Sequence, residues 1–290
     1  MLASSLACKA FSNLPNPFKK NMMSEKKSNS NLQSFYDQSY KAGEAEVFTF
    51  FENGKHVSED HPTALSLVDW SGCTVLDVGC GTEMLVREVA ARGASRVIGL
   101  DYAAPAIEEA QSIPHPDNVE FVTADIMSWT PPCRFDVIVT LGTLEHLDEP
   151  ARFLARMTEF LAEDGTIIIA CPHFLNPRGY VWMALATLLD VPMSLSDLHF
   201  IHPWHMKQWA TDLGMSAELV TTVDREWAYG QRLLRDYGKR LRNALRDANL
   251  PTDKVDAYME YLDNLVQHLS AEHAGPGMDG ATALYRLRRT

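Results

Sequence analysis

Residues 75–83 read Val-Leu-Asp-Val-Gly-Cys-Gly-Thr-Glu. Three apolar residues around one acid make a short buried strand, and two glycines one residue apart let the backbone turn tightly beneath a ligand. Met84, Leu85 and Val89, with Arg87 and Glu88 outward and Gly93 closing, give a helix next. Strand, glycine turn and helix form the opening unit of a nucleotide-binding α/β sheet. Asp77 lies inside the strand, two residues ahead of the first glycine. An ionised carboxylate there is costly without a cationic or strong donor partner. A pyrophosphate would be repelled by it, whereas an ammonium group would be held.

The alternation continues along the chain. A second strand over 96–100 ends at Asp101-Tyr102, a third over 119–123 is followed by Ala124-Asp125-Ile126, and a fourth over 135–139 runs into Thr140-Leu141. A fifth covers 165–170, a sixth 215–223 and a seventh 281–287. Helical stretches at 83–92, 104–112 and 149–162 separate the first five, so the sheet is parallel and covered on both sides. Asp101 stands at about the spacing where an acid chelates two ribose hydroxyls. Asp77, Asp101 and Asp125 fall in or just past three successive strands, on the edge where open α/β sheets bind ligands.

The run Asp77-Val78-Gly79-Cys80-Gly81-Thr82-Glu83 resembles the first motif of the class I S-adenosylmethionine-dependent methyltransferases, an acid, any residue, then Gly-x-Gly-x-Gly. Glu83 replaces the third glycine. The dehydrogenase fingerprint needs its third glycine where Met84 stands, so it fails at the helix-packing position. The resemblance implies a Rossmann-like α/β fold: a seven-stranded, mainly parallel sheet with helices on both faces. It implies S-adenosyl-L-methionine as cofactor, bound by Asp77, Gly79, Cys80, Gly81, Asp101, Tyr102, Asp125, Ile126, Thr140 and Leu141. In that family the acid matching Asp125 accepts from the adenine amino group and the next residue packs on the ring. An N-terminal tyrosine-rich helix also closes over the cofactor, which Tyr40 or Tyr36 matches.

A sulfonium donor is already activated, so the protein chiefly aligns donor and acceptor. A hydroxyl acceptor must lose its proton, and histidine is the usual base. His146, His173, His199, His202 and His205 crowd after the fourth and fifth strands. His199, in Asp197-Leu-His199-Phe-Ile-His202-Pro, is the leading base, with His173 and His146 as further catalytic candidates and Asp197 to hold its tautomer. His202 reads as a cap for a helix over 203–213 beginning at Pro203. Metal-dependent relatives carry Glu-x-x-Glu-His where this chain has Gly142 in the first glutamate's place, so no metal is expected.

Outside this frame, residues 1–30 are Ser-, Asn- and Lys-rich with one acid and read as a disordered tail, a cleaved targeting segment being the minor reading. Residues 31–290 read as one methyltransferase domain with an N-terminal helical cap over 31–70, its second helix N-capped by Asp60 ahead of Pro62. A helical insert over 225–273, with one helix at 225–248 and another at 252–270 beyond Pro251, precedes the last strand and reads as a lid or homodimer contact. The apolar segment 176–192 is suited to roof an acceptor. A net charge of −12 argues against nucleic acid. No apolar run reaches membrane-spanning length, and five cysteines without paired spacing suit a reducing cytoplasm. A small-molecule hydroxyl is the expected acceptor. The alternatives are a protein methyltransferase and an inactive cofactor-binding partner subunit.

Overall fold

The central strands of the sheet alternate between two apolar faces, and the two faces find different helices to cover them. The computed structural model describes residues 51–52, 55–56, 58–82, 84–191, 198–272 and 279–290. The segment expected as a tail, the helix expected around Tyr36 and Tyr40, and residues Glu83 and Asp197 lie outside them. In chain order the elements are β1 (Phe51–Glu52), β2 (Lys55–His56), α1 (Asp60–Ser66), β3 (Thr74–Val78), α2 (Met84–Ala91) and β4 (Arg96–Asp101). There follow α3 (Ala104–Ser112), β5 (Val119–Thr123), β6 (Phe135–Leu141), α4 (Pro150–Phe160), β7 (Leu161–Pro172) and α5 (Pro177–Leu189). The chain ends with α6 (Pro203–Asp212), β8 (Met215–Val223), α7 (Arg225–Tyr229), α8 (Gln231–Asp247), α9 (Val255–Glu272) and β9 (Thr282–Arg289).

Seven strands form one sheet in the order β5-β4-β3-β6-β7-β9-β8. All the pairings are parallel except those of β9, which runs antiparallel to both β7 and β8. The first strand therefore lies centrally, and the order reverses beside it, between β3 and β6. On one face Leu76, Ile98, Ile138, Ile167 and Ile169 pack with Phe153, Leu154 and Met157 of α4 and Met206 of α6. On the other, Val75, Val97, Val139 and Ile168 pack with Ala64 and Leu65 of α1, Val86 and Val89 of α2, and Ile107 of α3. Each fully buried Val, Leu or Ile contributes about 1.5–3 kcal/mol, so this double covering is what holds the strand ends in place.

Several boundaries differ from the sequence reading, and three of the differences have a visible cause. α4 stops at Phe160, not 162, because the wholly buried Leu161 already pairs with Phe135 in the ladder. Gly165 makes that entry feasible: a Cβ there would stand 2.7 Å from the Leu161 side chain. The single helix expected over 225–248 is broken at Gly230, which is extended (φ −102, ψ −163). There the Glu226 carboxylate accepts the Gln231 N–H at 3.0 Å and fills the space a side chain at 230 would need. Asp60 is the first residue of α1 and not its cap, since its carboxylate accepts from the His61 N–H at 2.7 Å while the Ser58 hydroxyl takes its own N–H at 3.2 Å. The region expected as a helical cap also contains the antiparallel β1–β2 ribbon, whose sequence signal is Asn53-Gly54.

The insert does not stand alone. α5, α8 and α9 share a core of Trp182, Leu233, Tyr237, Leu241, Leu262 and Val266, with Trp182 and Tyr237 stacked at 5.2 Å. Asp236 lies buried between Arg178 Nε (2.9 Å) and Arg240 Nε (2.8 Å), and the Tyr237 hydroxyl donates to the Arg178 carbonyl at 2.9 Å. Burial raises the Asp236 pKa, but the two guanidinium groups more than offset this and hold it below the usual carboxylate range. A depressed carboxylate stabilises the fold above its unfolded pKa and loses that contribution as pH falls through its folded one. Asp236→Ala, which strands the buried Arg178 and the half-buried Arg240, is expected to cost about 3–5 kcal/mol in urea unfolding at pH 7. That cost should shrink as the titration is repeated at pH values below about 4.

Candidate active site

The C-terminal end of β3 is where the sheet's order reverses, and it ends in a turn that only glycine enters without strain. Gly79 (φ +77) and Gly81 (φ +55) sit in the left-handed region. The Gly79 and Cys80 N–H groups donate to the Leu100 carbonyl at 2.8 and 3.2 Å, pinning the turn to the neighbouring strand. A Cβ on Gly79 would overlap the Thr143 side chain, so the loop after β6 closes directly on the turn. Gly142 in that loop also has φ +63.

The acids gather as the sequence suggests. Asp101 ends β4, with Oδ2 accepting the Gly81 N–H and Oδ1 the Ala103 N–H, both at 2.9 Å. Asp77 pairs in register with Gly99, one strand away. Its side chain is buried and receives no hydrogen bond from any described group. Burial pushes its pKa up to about 7; the His61 charge opposes this and the Asp101 charge adds to it. Asp125, past β5, is exposed and accepts the Met127 N–H at 2.9 Å, and Ile126 beside it is buried in the core. Tyr102, Cys80 and Leu141 are half-buried at the same edge. The Cys80 thiol is raised well above its ordinary value by burial and by Asp77 and Asp101, so it stays protonated and is no nucleophile. Thr140 is fully buried, one residue from the strand end and, by alternation, on the face opposite Leu141. The residues fit a cationic ligand: a buried acid with no described hydrogen-bond donor, beside a Cβ-free turn, accepts an ammonium group and disfavours a phosphate.

The histidines assemble at the same end of the sheet. The Leu198 and His199 N–H groups donate to the Glu145 carbonyl at 2.8 and 3.1 Å, tying this segment to the 3-10 turn Leu144–His146 after β6. His199 Nε2 lies 3.3 Å from the Asp148 carbonyl. His146 Nε2 is 3.8 Å from the buried Glu145 carboxylate. His173, buried past β7, donates its N–H to the Ala281 carbonyl at 2.7 Å. His202 caps α6, as expected, stacking on Trp204 at 4.4 Å and giving its N–H to His205 Nδ1 at 3.3 Å. Burial, then His205 and His173, lower its pKa to about 4, so it is neutral in the working range. Among the described residues no group of three His, Cys, Asp or Glu side chains is placed to hold a metal. No described helix is long and apolar enough to cross a membrane.

In the sequence His61 belongs only to a helix start, Asp60-His61-Pro62, yet its Nδ1 lies 2.9 Å from Asp60 Oδ1 and its charge acts on Asp77. A neutral-looking histidine beside an acid in a helix start carries no signal until the sheet end is placed beneath it.

Residues 75–165 match the family described as "Methyltransferase domain". The ubiquinone biosynthesis O-methyltransferase of Pseudomonas paraeruginosa is 31% identical over 156 residues, 51% of this chain and 66% of the relative. The enzyme of the same name from Neisseria meningitidis serogroup C is 27% identical over 202 residues, 62% of this chain and 84% of the relative. The match thus spans just under two thirds of the first relative and most of the second. Among solved structures, the methyltransferase complexed with the Haloferax volcanii Trm112 methyltransferase activator aligns with a TM-score of 0.54 at 16% identity, covering 87% of this chain and 96% of that one. DhpI in complex with SAH aligns with a TM-score of 0.52 at 18% identity, covering 89% and 94%. These two likenesses show a shared fold.

The state of Asp77 sets a test. A carboxyl whose folded pKa is raised holds its proton to about pH 7, so the ligand-free fold loses stability as pH rises from about 4 to that value. Asp77→Asn removes this burden. Thermal melts without ligand are expected to show the variant more stable by roughly 1–3 kcal/mol at pH 8, while calorimetry shows S-adenosylhomocysteine affinity about tenfold weaker or worse.

Proposed function

Because the chain belongs to the class I S-adenosylmethionine-dependent methyltransferases, we propose that it transfers a methyl group to a hydroxyl oxygen of a small, partly apolar molecule. The observation that carries this reading is the convergence of Asp77, the Gly79–Gly81 turn and Asp101 at one edge of the sheet, with the histidines gathered at the same edge. Asp77 would hold the ammonium group, Asp101 the ribose hydroxyls through lone pairs its two backbone donors leave over, and Asp125 with Ile126 the adenine. When bound, S-adenosylmethionine supplies a methyl group on a sulfonium, with a neutral thioether as leaving group. The chain's own residues orient the acceptor for in-line attack and remove its proton.

His199 is the proposed base. It is half-buried, and its backbone is fixed by the carbonyl of Glu145, which follows the strand carrying the cofactor edge. A proton on Nε2 donated to the Asp148 carbonyl leaves Nδ1 with the lone pair that a general base needs. His202 is a poorer choice, since its lowered pKa makes it a weak base and its ring is packed into the helix start. His173 and His146 remain as groups that line or order the acceptor side. The name of the relatives from Pseudomonas and Neisseria, O-methyltransferase, supports an oxygen acceptor. Within one domain spanning 31–290, the lobe of α5, α8 and α9 would roof that acceptor with apolar surface. Four free cysteines among the described residues suit a reducing, cytoplasmic setting.

Untargeted mass spectrometry of metabolites incubated with the enzyme and methyl-labelled cofactor is expected to yield a labelled methyl ether. Labelled polypeptide and no labelled metabolite would overturn the small-molecule reading. With the acceptor in hand, His199→Ala should lower turnover about 10²–10⁴-fold and leave S-adenosylhomocysteine affinity nearly unchanged. A change under about threefold would remove His199 from the chemistry.

A further inference from the structure

Asp77 raises a question that its own strand does not answer. A carboxylate this deeply buried, with no described donor, tends to keep its proton, and a protonated acid has no charge with which to hold an ammonium group. A neighbouring cation that favours the ionised form would ease capture. Val75 and Asp77 are two residues apart on β3 and share a face of the sheet. Val75 belongs to the same apolar layer as Ala64 and Leu65 of α1, so Asp77 stands on the face of the sheet that α1 helps to cover. His61 occupies the first turn of that helix.

The start of α1 is held firmly. Asp224, in the left-handed region after β8 (φ 62), accepts from the Ser58 hydroxyl at 2.7 Å, the Thr282 hydroxyl at 2.6 Å and the Glu59 N–H at 2.9 Å. Ser58 in turn accepts the Asp60 N–H. Within this frame Asp60 Oδ1 takes both the N–H of His61 (2.7 Å) and its ring Nδ1 (2.9 Å), which fixes the imidazole and favours its cationic form. We infer that His61 is a positioning residue for the cofactor: anchored by Asp60, its imidazolium favours the ionised form of Asp77 and so eases capture of the ammonium of the amino-acid end. The inference rests on the S-adenosylmethionine reading above.

The charges facing the pair agree. Burial lowers the His61 pKa, but Asp60, Asp77 and Asp224 act against that and leave it raised, while Asp101 presses on Asp77 from β4. His61 and Asp77 therefore titrate as a coupled pair. The contribution of His61 is largest at neutral and acid pH. It fades as pH rises, because Asp77 then ionises without help.

Calorimetry of the full chain with S-adenosylhomocysteine between about pH 5.5 and about pH 9 reads this out. Wild-type affinity should climb with pH to a plateau. For His61→Gln the climb should move to higher pH, leaving binding about tenfold weaker at pH 7 and equal to wild type near pH 9. His61→Lys, which restores a cation, should return the climb to or below its wild-type position. Loss of affinity by the same factor at every pH, or an unmoved profile, would overturn the role assigned to His61. Failure of the wild-type protein to bind S-adenosylhomocysteine at any pH would instead overturn the cofactor reading beneath it.

Discussion

A carboxylate buried at the end of a central strand, beside a turn without side chains and without a described hydrogen-bond donor, is a feature that a folded protein does not carry for its own stability. Asp77 costs the free protein stability because the surrounding core withholds the solvation its charge needs. The residues around it are arranged so that this cost is met when a cation arrives. Gly79 and Gly81 keep side chains out of the approach, Leu100 and Asp101 hold the turn to β4, and Thr143 presses on it from the other side. The two apolar layers exist, in this view, to hold three strand ends rigid to within the tolerance a bound nucleotide demands.

The proposed division of labour between a cofactor edge and an acceptor side follows the topology. β3, β4 and β5 carry the acids on one side of the point where the strand order reverses, and β6 and β7 carry the histidine-bearing loops on the other. A ligand lying across the reversal touches both sets. The link between them is a backbone one: the carbonyl of Glu145 holds Leu198 and His199 in place across 53 or more residues of chain. Farther out, the Arg178–Asp236–Arg240 network joins α5 to α8, so the helical insert before β9 and the apolar helix after β7 form one lobe. Charged groups at that depth are weak sources of stability but strict about partners.

Much of the fold was legible because it was written in local patterns. The strand cores of β3, β4, β5, β6 and β9 show as apolar runs with turn signals at their ends, and their alternation with helices dictates a parallel sheet. Where the boundaries moved, a long-range contact decided: Leu161 left its helix to pair with Phe135, and Gly230 broke a helix because the Glu226 carboxylate needed the space. The β1–β2 ribbon lies in a region that reads as a helical cap, although Asn53-Gly54 is a hairpin signal in the sequence.

What the sequence determined by itself is the chemistry of the edge: an acid, two glycines, and further acids at successive strand ends, each recognisable because it depends only on neighbours within a few residues. Tertiary structure alone decided which distant side chains those acids meet. His61 lies 16 residues before Asp77 and Asp224 lies 147 after it, yet both bear on the same buried corner. A pKa is set by burial and by charges in space, and neither quantity exists until the sheet, α1 and the end of β8 have been brought together.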